Sequence, residues 1–352
     1  NNLDFFIYKN NLAQFQADRS NKFDYTENVN ALYISYQTPI KTAFNVQAGL
    51  RLEQTNSRGI LTRSDNILQA DNDIKREYID IFPSFSISWD LNKKNALGLS
   101  YSKRIDRPNY QDLNPFENKL DELTYEKGNA FLKPQYTDNI ELSHTYSNKI
   151  TTTVGYSYIK DFATQVTDTV RNATFVQNQN IASLKMITFN IGTPTQITKW
   201  LSGYVNCWFN YNMFSGKISD KDVSLDFTSL GAYLQQSVSL GKDYKAEISG
   251  WYNGPQINLG TWEFKSQASI DLGLQKQVLK NKGTIKLSFT DIFRTAPWNA
   301  TSNFGGLKIK ADGYWESHTF KINFSYRFGN NQVKKVRERK TGLDSESKRI
   351  KN

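Results

Sequence analysis

The side chains in this sequence best equipped for chemistry are arginines, tyrosines and tryptophans, not histidine, cysteine or serine. Arg104 and Arg107 stand three positions apart and are followed by Tyr110. A guanidinium is a planar fork of donors suited to carboxylates and other anions, and a tyrosine adds an amphipathic ring beside it. The group they would engage, if they face a lumen, is the carboxylate of an anionic solute or of a plug filling that lumen. A second reading stays open: Pro108, Pro115, Gly128 and Pro134 shape an inward-folded loop over 105–135, and the arginines satisfy its backbone carbonyls. Trp200, Trp208, Trp251, Trp262, Trp298 and Trp315 could stack on sugar rings or form a headgroup-level girdle; Trp298, in a long polar link, is the best placed for a solute.

Other chemistries lack material. Asp65, Asp71, Asn72 and Asp73 offer oxygens, but without the regular spacing and distal glutamate of a calcium loop, and read as a solvated acidic loop. There is one cysteine, Cys207, and two histidines, His144 and His318, so zinc sites, disulfides and Ser-His-Asp triads are not built here. Ser, His and acid side chains never share one strand face. We expect no enzyme activity, no metal and no cofactor.

The elements that must position these residues are strands. Hydrophobic residues make up 38% of the chain and aromatics 14%, led by 22 Phe and 19 Tyr, and the mean hydropathy is −0.61. That is a poor core for a water-soluble protein and a natural composition for a barrel with one lipid face and one wet face. In the last strand Ile322, Phe324, Tyr326 and Phe328 alternate with Lys321, Asn323, Ser325 and Arg327. The same rhythm recurs at Ile79–Leu91, Leu97–Tyr101, Ala268–Leu274 and Ile285–Phe289, giving roughly fourteen strands in all. Cys207 shares parity with Leu201, Val205 and Phe209 and is expected to face lipid as a small apolar group. Short links such as Thr38–Lys41, Leu91–Lys94, Tyr146–Lys149 and Gly241–Asp243 take turns with long polar ones at 9–26, 57–76, 105–135, 162–180, 215–222 and 293–313. Antiparallel strands give that alternation when one rim faces the periplasm and the other the exterior, so the final strand runs toward the periplasm. No apolar stretch approaches the ~18 residues of a transmembrane helix. No signal peptide is visible at the start, which we read as a chain beginning after its true N-terminus.

The net charge is +10, and residues 331–352 hold eight Lys or Arg against three Asp or Glu, half of that excess. The rest is scattered, with no nucleic-acid-binding motif, so nucleic acid is not an expected partner. The expected division is a barrel over 1–329 and a basic periplasmic tail over 330–352, solvated or bound to a periplasmic partner or anionic headgroups.

The segment Tyr101–Phe116, with Arg104, Arg107-Pro108, Tyr110 and Leu113-Asn114-Pro115-Phe116, followed by Gly128-Asn129, Leu132 and Pro134, resembles the barrel of TonB-dependent receptors. The nearest resemblance is to the outer-membrane β-barrel family common in Bacteroidetes; Ala130 departs from it, standing where proline is usual. The resemblance implies an all-β, antiparallel transmembrane barrel of about 22 strands closed around a plug, of which this chain is the C-terminal part. It implies energised uptake of a bulky solute such as a siderophore, glycan or peptide, driven by a TonB-type complex acting on a plug outside this sequence. The alternative is an architectural, non-transporting barrel in a larger outer-membrane assembly that includes lipoprotein subunits. The implied setting is outer-membrane lipid, with long loops outside the cell. Lys321, Tyr326 and Phe328 also resemble the signal read by barrel-assembly machinery, although Asn323 stands where glycine is usual.

Overall fold

The structure, a computed structural model, describes residues 2–328 apart from 18, 42, 68–71, 116, 121, 171–172, 219–220, 259–261 and 305–306, together with Arg349. Its frame is one antiparallel sheet in which fourteen strands follow each other as neighbours in chain order. They are β1 (Asn2–Leu3), β2 (Asn21–Lys41), β3 (Phe44–Arg63), β4 (Asp73–Asn92), β5 (Asn95–Asp106), β6 (Gln135–Tyr146) and β7 (Ile150–Val170). There follow β8 (Ala173–Gln196), β9 (Leu201–Ile218), β10 (Lys221–Gly241), β11 (Tyr244–Asn253), β12 (Gln267–Val278), β13 (Gly283–Thr290) and β14 (Thr319–Tyr326). Among the described residues β1 pairs only with β2 and β14 only with β13, so the sheet is open.

Alternation sorts the two faces. Leu99, Leu142, Val154, Phe189, Phe209 and Leu230 are successive cross-strand partners on β5 to β10, and all six are exposed. An unbroken apolar row left open to the surroundings is what lipid, as the solvent, asks of a barrel exterior. The neighbouring row toward the long links is Phe85, Tyr101, Ile140, Tyr156, Ile187 and Tyr211. Its tyrosines mark the membrane interface on the side of the long links: Tyr101 donates to Asp138 at 2.7 Å and Tyr211 to Asp226 at 3.0 Å. Cys207 is exposed on this apolar side, paired with Ile191. The other face carries small polar partners, among them Ser84 opposite Ser102, Ser86 opposite Ser100 and Asn139 opposite Ser157.

Short turns and long links alternate as the sequence suggests, but the long links are less loop-like than their polar composition implies. A bilayer needs about 9–11 residues per strand, whereas β2, β3, β4, β7, β8 and β10 run to between 20 and 24 residues. Residues 57–63, 162–170, 173–180 and 215–218, expected as loop, are paired strand. Above the membrane both faces meet water, so polar side chains on both faces are compatible with a ladder that still satisfies every backbone group. The link after β11 contributes Gln256–Asn258 and Trp262–Phe264, and the link after β13 contributes Trp298–Phe304 and Leu307–Gly313. These four pieces pair as a second, four-stranded sheet.

Between β5 and β6 the chain turns inward through a four-residue helix, Tyr110–Leu113, and the strands Glu117–Lys119 and Thr124–Lys127. Leu113 and Leu132 of this segment are each 2% exposed and pack with Phe23 of β2. Burying each leucine contributes about 1.5–3 kcal/mol. This small apolar core lies on the inner side of the sheet.

Candidate functional site

The inward segment 107–134 is held to the wall by side chains reaching from several strands. Arg107 is 8% exposed; its guanidinium donates to Glu53 Oε2 at 2.6 Å, to Thr55 Oγ1 at 2.9 Å and to the Tyr78 hydroxyl at 3.3 Å. Arg51 meets the other oxygen of Glu53 at 2.5 Å. Two guanidinium groups therefore share one buried carboxylate, an arrangement that is stable only when both charges are paired and hydrogen-bonded. Arg76 of β4 donates to the carbonyls of Leu132 at 2.5 Å and Ala130 at 2.7 Å. From β8, Gln177 donates to the Gly128 carbonyl at 3.0 Å, and Asn180 accepts from the Lys133 amide at 2.7 Å. Gly128 lies so close to the helix end that a Cβ there would stand 1.9 Å from the Asn114 carbonyl oxygen, which is why the position carries no side chain.

The carboxylate that Arg107 meets is that of Glu53, on the wall itself. Carbonyl capping falls to Arg76, which sequence reasoning did not single out. Arg104 is exposed and lines the same cavity as Arg51, Lys103 and Arg107. Tyr110 joins a neighbouring cluster: its hydroxyl is 3.4 Å from Glu27 Oε2, its ring centroid is 5.4 Å from that of Tyr25, and the Arg349 guanidinium lies 4.6 Å above it. Arg349 also pairs with Glu27 and donates to the Pro108 carbonyl at 3.1 Å. The tail expected over 330–352 otherwise lies outside the described residues. Glu27, Glu53 and Arg51 were missed because a partner 54 residues away, as for Arg107 and Glu53, depends on the path of the segment between them. Strand parity alone would have put Glu53 and Arg51 on the inner face.

Trp298 begins its hairpin half-buried, its centroid 6.5 Å from that of Trp315, with its indole against Gly313. Trp208 and Trp251 have the parity of the inner face, pairing with Asn190 and with Tyr233. Lys321 and Tyr326 are exposed on the open-edged β14, and Phe328 just beyond it is 90% exposed.

Among its described residues the acidic link pairs its carboxylates with arginines. Asp65 forms a two-pronged pair with Arg63 at 3.1 and 2.5 Å. Burial pushes its carboxyl up, but the Ile67 amide and Arg63 more than offset this and hold it below the usual range. Asp73 is paired in the same way with Arg58, at 2.8 and 2.7 Å, and Asp71 lies outside the described residues. Among the described residues no group of three or more His, Cys, Asp or Glu could hold a metal.

On the other side of the sheet one tie is made by a single carboxylate. Asp291, 1% exposed, accepts from the Ser317 hydroxyl at 2.6 Å and the Thr295 amide at 2.8 Å, while its own amide donates to Asp271 at 2.8 Å. Desolvation works against its ionisation, but these donors prevail and hold its carboxyl below the ordinary range. The knot fixes the base of the link that carries the second sheet. That sheet in turn places Gln256 and Ile257 over an inner-face cavity of about 280 Å³ lined by Phe162, Leu184, Asn212, Phe214 and Phe227.

Among solved structures the chain is similar to the copper transporter OprC (TM-score 0.68, 14% identity, 91% of this chain and 51% of that one). It is similar to the ferric yersiniabactin uptake receptor FyuA from Yersinia pestis (TM-score 0.60, 13% identity, 88% and 47%). A third likeness is to the ferric-catecholate import receptor Fiu from K12 E. coli (TM-score 0.60, 13% identity, 87% and 45%). At these identities the likeness is one of fold, and the chain spans about half the length of each. No curated protein matches the sequence. The model of the outer membrane protein beta-barrel family matches residues 1–326. With its lipid-facing apolar rows and polar inner face, the chain belongs to the outer membrane protein beta-barrel family and resides in the outer membrane.

Proposed function

We propose that this chain forms part of the wall of a TonB-dependent receptor of the Bacteroidetes type, which imports a bulky solute across the outer membrane. The observation that carries the reading is an open sheet of transporter-like fold, covering about half of a copper transporter, an uptake receptor and an import receptor, whose two edge strands each have a partner on one side alone among the described residues. A wall of this kind is completed by strands and a plug contributed by the rest of a longer polypeptide, of which this would be the C-terminal part. Its work is to bind and gate, with no bond made or broken. Energy would enter through a TonB-type complex pulling on the plug. Barrel-assembly machinery during biogenesis, reading Lys321, Tyr326 and Phe328, and surface lipoproteins are the further partners this reading supplies. Long links would face the exterior.

A non-transporting architectural wall is favoured by one observation: much of the inner face of β2–β8 is already met by the segment 107–134 and its ion pairs. Uptake by cells carrying the full-length protein decides between the two. Solute accumulation that stops when the proton-motive force is collapsed, or when the coupling complex is deleted, supports the transporter. Accumulation that survives both treatments, or matches cells lacking the protein, sinks it.

A further inference from the structure

We propose that the inner-face cavity beneath Gln256–Asn258 is a solute-recognition subsite, and that it takes an uncharged peptide by one apolar side chain and the amide next to it. The inference rests on the transporter reading and adds the solute's class. Asn210, Asn212 and Phe214 alternate along β9 with the outward Phe209, Tyr211 and Met213. Their cross-strand partners Leu184, Leu225, Phe227 and Ser229 complete the same inner surface. Tyr211 belongs to the interface row on the side of the long links, so in the transporter reading, with those links outside, the cavity lies at the outer mouth, where an arriving solute meets the wall. Its volume of about 280 Å³ is at the lower end for a ligand pocket, about 300–1,000 Å³. It fits one side chain and an amide rather than an entire bulky solute.

Three features specify the ligand. Among the described residues no ionisable side chain lines the cavity, so an anionic complex entering it would lose water and gain no counter-charge. Asn212 is 6% exposed, and its side-chain amide has no hydrogen-bond partner among the described residues. A primary amide that lines a cavity with its donors and acceptor unused is matched by the N–H and C=O of a peptide bond. Phe162 and Phe214 meet edge to face, with centroids 6.1 Å apart and planes at 84°. That pair, with Phe227, Leu184, Leu225 and Ile257 around it, suits an aromatic or branched aliphatic group.

The test is calorimetric titration of the full-length protein in detergent with three probes: acetyl-Leu-Phe-Gly-amide, maltohexaose and a ferric tris-catecholate complex. The peptide is expected to bind. Asn212→Leu should weaken it about tenfold, the usual effect of removing a buried hydrogen-bonding partner. Ile257→Trp fills the cavity from above without altering the wall and should abolish binding; it guards against an Asn212 variant that simply fails to fold. The proposal is overturned if the peptide does not bind, if both variants bind it as well as the parent, or if either other probe binds in a manner these variants remove. Uncoupled uptake with peptide still bound here would defeat the transporter reading alone. Energised uptake of another solute by a protein indifferent to the peptide would defeat this proposal alone.

Discussion

Along β2–β4 and β8 the inner face meets the segment 107–134, whose Arg107 is buried against Glu53, whereas from β7 to β10 it lies beneath Gln256 and Ile257 of the second sheet, across a cavity lined by no ionisable side chain among the described residues. The two arrangements use opposite means. On the first side, ion pairs and carbonyl caps draw an inserted segment into one register on the wall, and Leu113 and Leu132 exclude water beneath it. On the second, the attachment is made by the knot at Asp291 and by hydrogen bonds at the ends of the links, such as Gln267 to the Pro297 carbonyl, and apolar and amide groups between sheet and wall keep room for something else. Paired charges in a desolvated place specify position; an uncharged lining with an unused amide specifies a guest.

The contrast is broken most strongly at Arg107. Arg107→Met leaves Glu53 buried with Arg51 on only one oxygen, and should cost about 3 kcal/mol, the low end for a broken buried pair because that partner remains. Denaturant unfolding of the full-length protein in lipid vesicles measures this, and limited proteolysis should cut newly within 107–134. Adding Glu53→Gln should return part of the loss, since the uncompensated charge goes with it. A cost below about 1 kcal/mol, in the range of exposed pairs, would mean that the segment is not latched by charge.

A smaller effect is expected at Gly128→Ala, which alters packing without touching any charge. The added carbon would stand 1.9 Å from a backbone oxygen, so the segment must shift at a cost of about 1–3 kcal/mol. Cleavage should rise within 107–134, while peptide binding beneath Gln256–Asn258 stays as in the parent. If binding falls in step, the two sides are one cooperative unit and the contrast drawn above fails.

Most of the frame was legible because alternation is local. Leu99 and Phe209 declare a lipid face from their neighbours alone, and Ser147-Asn148, both at positive φ (51° and 54°), mark a tight turn from residue type. The upper ends of the strands were not legible, because β7 and β8 continue as a ladder through residues that no longer alternate apolar with polar. The segment Tyr101–Phe116 announced an inward loop through its prolines and arginines, but not which carboxylate Arg107 would meet, since Glu53 lies on β3 and is reached only by folding back across β4. The cavity was less visible still. Asn212 looks like any lumen-facing amide until the link after β11, which carries no signal for pairing with the link after β13, returns Ile257 above it.

The smallest effect tests the other side through pH. Asp291→Asn keeps the shape of the knot but removes the charge that Ser317 and the Thr295 amide stabilise, and should cost about 1 kcal/mol at pH 7. Because the folded carboxyl titrates below its ordinary value, the unfolded chain binds the proton more tightly. Stability from this group is therefore fully present above the ordinary aspartate pKa of about 3.9 and is lost as pH falls through the lower folded value. The gap in unfolding midpoint between parent and variant should stay constant from pH 7 to 5 and narrow below about pH 4. A gap that closes by pH 5, or one that persists unchanged at pH 3, would remove Asp291 as a tie and leave the second sheet held by its other hydrogen bonds.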